Sequence, residues 1–230
     1  MSKTFVVAEM ALREIARRRG VLAILLIFPL AFYLSRRDSH AGQSIRFVCL
    51  GIGWAMSTAA LFAGSAARAV EPRLRLSGYR SSHLYLGRLA ALWTVGLLLS
   101  APYYVLIRID QEHIRYGAIA LIMLLTVAVA APFGLALSAA LPRELEGMLV
   151  LLIVVGLQMM MDPAGSASRL LPFWFSREIG TYAVDHTDGG YLTRGLIHAV
   201  VCLAALLAVV AVASGYRLRQ RSHLRFVARR

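Results

Sequence analysis

The chain has 230 residues, 59% of them hydrophobic and 16% charged, and a formal net charge of +13 at pH 7. Soluble domains sit near half apolar and a quarter charged, so this composition, with a mean hydropathy of +0.66, excludes a soluble enzyme. About 20 apolar residues cross a bilayer. Six crossings leave too little chain for a separate globular domain, and 1–230 reads as one membrane domain.

In chain order, residues 2–19 come first. Phe5, Ala8, Leu12, Ile15 and Ala16 recur at three- and four-residue intervals, with Lys3, Glu9, Arg13, Glu14 and Arg17 on the other face. That pattern predicts an amphipathic helix lying in the headgroup plane, and it stays attached, because no small-x-small cleavage site follows Leu34. Six apolar runs follow: Val21 to Leu34, Phe47 to Ala67, Leu89 to Ile107, Gly117 to Leu141, Met148 to Met161 and Gly195 to Tyr216. The first and fifth are short, about 21 Å of helix each. Charge supports them as crossings. If all six cross and both termini are cytoplasmic, the cytoplasmic side holds 17 Lys/Arg and the opposite side 8, as the positive-inside rule requires.

The segment 162–194 falls outside in this topology, yet it contains Leu170-Leu171-Pro172-Phe173-Trp174-Phe175. Aromatic residues favour the membrane edge, so Ser166 to Tyr182 is predicted as a short re-entrant or interfacial helix pair. Gly51 and Gly53 in the second run predict close helix approach. A basic tail, 217–230, completes the chain. The predicted fold is an all-α membrane protein: six transmembrane helices preceded by an interfacial helix, with the re-entrant segment between helices five and six.

Little in the sequence is catalytic. Lys3 is the sole lysine beside 24 arginines, and a phosphate-binding G-x-x-x-x-G-K-[ST] loop needs a lysine after its second glycine. The chain therefore hydrolyses no nucleotide by that route. Ser65 and His198 lack the context of an intramembrane serine protease, and no aspartate lies within a run. Cys49 and Cys202 lack metal-ligand spacing. The most informative stretch is Arg68 to Arg88, where Val70, Leu74, Leu76 and Tyr79 are interleaved with arginines. It reads either as a basic loop held to anionic lipid or as a docking helix for a cytoplasmic protein.

The layout resembles that of ABC-2 type permeases, the membrane subunits of bacterial ATP-driven exporters. The resemblance rests on the N-terminal helix before a short first span and on the Glu71-led loop closing on Gly87-Arg88-Leu89. The Leu171-Pro172-x-Trp174 element after span five, the sixth span and the basic tail complete it. Where members often carry a proline, this loop reads Gly78-Tyr79-Arg80-Ser81-Ser82. The resemblance implies residence in the bacterial cytoplasmic membrane and a second permease chain, identical or paralogous. It also implies two copies of a separately encoded ATPase, which would hold ATP and Mg; no cofactor is expected in this chain, and no nucleic acid. It assigns ATPase coupling to Arg13, Arg17, Glu71, Arg73, Leu74, Arg75, Leu76 and Tyr79 in the cytoplasmic loop 68–88 and the N-terminal helix. It assigns the pathway of a hydrophobic or amphipathic substrate to Trp54, Ser57, Thr58, Gln158, Met159 and Met160. The alternatives are a haem-exporter-like permease of cytochrome maturation and a non-transporting membrane scaffold for a cytoplasmic partner.

Overall fold

A computed structural model describes residues 2–37, 41–162 and 165–219, and every regular element among them is helical. The elements are α1 (Lys3–Arg17), α2 (Arg19–Leu34), α3 (Ala41–Ala67), α4 (Glu71–Leu76), α5 (Ser81–Asp110), α6 (Tyr116–Ala140) and α7 (Glu144–Met160), a 3-10 turn (Ala167–Leu170), α8 (Phe175–Val184) and α9 (Gly189–Arg219). Four of them, α3, α5, α6 and α9, are long and apolar enough to cross a membrane, which makes the chain compatible with a multi-pass membrane protein. At 16 and 17 residues, α2 and α7 reach only about 25 Å. Of the basic tail predicted over 217–230, α9 takes in the first three positions; the rest lies outside the described residues.

The centre is the pair α3 and α6, each two-thirds buried along its apolar window, whereas α9 is only 11% buried and lies at the periphery. Small residues bring the central pair together. Ser57 Oγ donates to the Ala130 carbonyl at 3.1 Å, Gly134 lies against the Ser57 backbone and Ala60, and Gly64 lies against Ser138. This is the small-residue packing by which helices approach without bulky side chains between them. The contacts climb both helices in the same sense, so α3 and α6 are parallel.

The neighbours fix the other directions. Phe28 stacks on Trp54 at 4.0 Å, and Phe32 lies 6.2 Å from Phe47, so α2 is antiparallel to α3. A Cβ on Gly51 would come within 2.8 Å of Pro29 Cα; glycine lets the backbone of α2 rest on α3. Leu61 packs at Gly147 and Arg46 bonds Gln158, which makes α7 antiparallel to α3 as well. Trp93 reaches the Ala128 carbonyl and Arg108 the Tyr116 ring, so α5 opposes α6. The helices α2, α3, α5, α6 and α7 thus alternate in direction along the chain.

The predicted helix pair over Ser166 to Tyr182 is a 3-10 turn followed by α8, and it reaches deep into the bundle. Phe173 and Phe175 are fully buried. Phe173 sits over Gly53, near the middle of α3, where an added Cβ would meet its ring at 3.1 Å, and it lies edge-on to Phe133 at 6.2 Å. The chain enters from the loop and fills a socket between the two central helices.

Candidate functional site

The residues of 68–88 assemble into a small platform at the end of the bundle where α3 and α6 finish. Pro72 occupies the start of α4, where its missing N–H costs no helical hydrogen bond, and Glu71 beside it complements the positive end of the helix dipole. Six residues later the helix stops at Gly78, whose φ of +79° is open to glycine with little strain. There the Gly78 and Tyr79 N–H groups donate to the Arg75 and Leu74 carbonyls at 3.0 and 3.1 Å, the αL termination that glycine commonly provides.

Glu71 ties α4 to α5. Its carboxylate meets the Arg88 guanidinium at 3.2 Å, with both side chains nearly buried. A cavity of about 30 Å³, large enough for a single water, lies beside this pair and is bordered by Gly64, Ser81, Tyr85 and Ser138. Outward from this anchor the platform is cationic and apolar at once. Arg73, Arg75 and Arg80 are exposed, and Leu76 is 91% exposed, an isobutyl group held in the open on a helix only six residues long.

The N-terminal helix joins this platform through its first turn. Lys3 Nζ donates to the Gly78 carbonyl at 2.8 Å and stands 5.5 Å from the centre of the Tyr79 ring. Gly87 makes this possible, because a Cβ there would come within 2.6 Å of the Thr4 carbonyl and 2.7 Å of Val7 Cβ. Arg13 instead pairs with Glu9 at 2.5 Å, and Arg17 is exposed at the far end of α1. The structure therefore brings Glu71, Arg73, Leu74, Arg75, Leu76 and Tyr79 together with Lys3, and leaves Arg13 and Arg17 farther along α1. In the sequence Lys3 was read as the sole lysine and as part of the polar face of α1, with no role in this platform.

A second residue that the sequence left unassigned is Arg68. Its guanidinium donates to the carbonyls of Ser138, Leu141 and Pro142, where α6 ends and its last carbonyls have no intrahelical donor. One side chain caps α6 and fixes α3 to the turn before α7.

The residues assigned to a pathway are distributed over the flanks of α3. Trp54 and Thr58 are half-buried one turn apart, and Thr58 Oγ1 has no hydrogen-bond partner. Ser57 is fully buried against α6. Gln158 is buried beside Arg46, Met159 is half-buried and Met160 is 87% exposed. Gln158 lies beside Arg46 near the start of α3, toward the end of the bundle opposite α4, whereas Trp54 and Thr58 lie two to three turns farther along α3.

At that opposite end Asp110 links α5 to α2. It accepts a hydrogen bond from Tyr33 at 2.5 Å and a paired contact from Arg37. Among the described residues no group of three or more His, Cys, Asp or Glu is arranged to hold a metal ion. No protein-family model and no curated protein matches this chain.

Proposed function

We propose that the chain is the membrane-spanning permease subunit of an ATP-driven exporter, working as a dimer and coupled to separately encoded ATPase subunits. In this reading α2, α3, α5, α6, α7 and α9 are the six spans, α1 lies in the cytoplasmic headgroup plane, and α8 with its 3-10 turn is the re-entrant outer segment. The alternating helix directions support six crossings. The excess of arginine on the side of α4 supports placing both termini in the cytoplasm of a bacterial cell.

The observation that carries the proposal is α4. A six-residue helix is too short to be stable alone, and it is pinned through the nearly buried Glu71–Arg88 pair while Leu76 projects between exposed arginines. Such a rigidly held apolar side chain suits a hydrophobic socket on a cytoplasmic partner. Because the chain lacks the lysine-bearing phosphate loop, ATP and Mg would be bound by that partner. ATP binding can drive transport only if the partner holds the two orientations of the permease with different affinity, and α4 is the element through which that difference is felt.

Affinity purification of the tagged chain from its native membrane in mild detergent, followed by mass spectrometry, tests the proposal. A stoichiometric partner carrying a phosphate loop is the expected result, and Leu76→Asp with Arg75→Glu should release it while leaving the permease inserted. A partner without a nucleotide-binding motif would instead identify a scaffold. A folded chain recovered reproducibly alone would remove the exporter assignment.

A further inference from the structure

At the outer end of the bundle three helices contribute arginines to one partly buried cluster. Glu178 of α8, 1% exposed, accepts from Arg177 at 2.5 Å through one carboxylate oxygen and from Arg194 of α9 at 3.0 Å through the other. Arg46 of α3 donates to the main-chain carbonyl of Gln158 at 2.6 Å, a neutral acceptor, and the Arg177 guanidinium is close enough to repel it. Glu178 thus pairs with two of the guanidiniums, and Arg46 bonds an uncharged carbonyl. Gln158 is itself 4% exposed, and its Oε1 has no hydrogen-bond partner; turned about its last torsion, the amide presents an NH₂ group there instead.

Unneutralised charge is costly to hold away from water, and an arginine fork matches phosphate oxygens two at a time. Basic pockets between membrane helices bind lipid headgroups by this chemistry. We propose that Arg46, Arg177 and Arg194, with the Gln158 amide, form an anion site that takes the phosphate group of a membrane amphiphile. Glu178 holds two of the three arginines in place, while Arg46 is bonded to an uncharged carbonyl. The inference rests on the bundle being embedded in a membrane, not on its coupling to an ATPase, so its failure leaves the co-purification result above untouched.

The test is titration calorimetry on the whole protein in dodecyl maltoside, with dioctanoyl phosphatidylglycerol and inorganic phosphate as probes. The lipid should bind saturably. Loss of one charge-assisted hydrogen bond corresponds to about tenfold or more in affinity, so Arg46→Gln and Arg177→Gln should each weaken binding by about that factor. Arg194→Gln, at a half-exposed position that folding tolerates, should weaken it in the same direction. Arg108→Gln, which removes an exposed outer arginine stacked on Tyr116, should leave it unchanged. Absence of saturable binding, or equal weakening by Arg108→Gln, would overturn the site. Displacement by inorganic phosphate at similar concentration would assign it to the free anion and overturn the amphiphile.

Discussion

A methyl group added at Gly134 would meet the Ser57 carbonyl and the Ala60 side chain, whereas one added at Gly156 would meet nothing within 4 Å. Gly134→Ala should therefore destabilise the bundle by about 1–3 kcal/mol through overpacking, and Gly156→Ala should stabilise it by up to about 1 kcal/mol through helix propensity. Reversible unfolding in mixed detergent micelles distinguishes the two; equal effects would mean that the α3/α6 seam yields without cost. The close approach at Gly51 was legible in the sequence, because small residues in an apolar run have few other uses. What Gly53 accommodates was not, since the ring above it comes from a residue 120 positions away.

At the scale of elements, apolar runs marked the helix interiors and missed their polar ends. The structure begins α3 at Ala41, before Phe47, and α5 at Ser81, before Leu89. It begins α7 at Glu144, because acidic residues in a first turn are favoured by the dipole even though they interrupt an apolar pattern. α4 lies in a segment read either as a basic loop or as a docking helix, and its bounds follow the start and stop signals Glu71-Pro72 and Gly78. Two predictions belong here. Arg68→Ala should cost about 2–3 kcal/mol by leaving the terminal carbonyls of α6 without their charged donor, and Arg68→Lys should recover only part, since an ammonium group lacks the planar fork. Glu71→Gln should remove the charge from the Arg88 pairing in a nearly buried site at a cost of about 1.5–3 kcal/mol. The double variant Glu71→Gln with Arg88→Met should be far milder. Thermal unfolding checks both, and additive losses in the double variant would show that the two side chains act separately.

For the whole molecule, length and hydropathy were enough to outline a helical chain with several helices apolar enough to cross a membrane, because lipid permits only closed backbone hydrogen bonding. They carried no information on which helices pair. The parallel contact of α3 with α6 depends on the register of Ser57, Ala60 and Gly64 against Ala130, Gly134 and Ser138, a match between distant segments that no single-segment pattern displays. The proposed orientation is open to direct measurement. In a background lacking Cys49 and Cys202, Ser77→Cys should react with a membrane-impermeant thiol reagent only after the cells are permeabilised, and Glu112→Cys should react on intact cells. Labelling of both from the same side would eliminate the odd number of crossings between them.

The socket above Gly53 also sets a schedule. Phe173 leaves the ribosome roughly thirty residues after α6 is complete, which at about 5–20 residues per second is a delay of roughly 2–7 s. Over that interval the two central helices lack the phenyl ring that fills the socket between them. A segment translated after both central helices is thus what completes their packing, and the ring of Phe173 ties α3 to α6 only once both have been made.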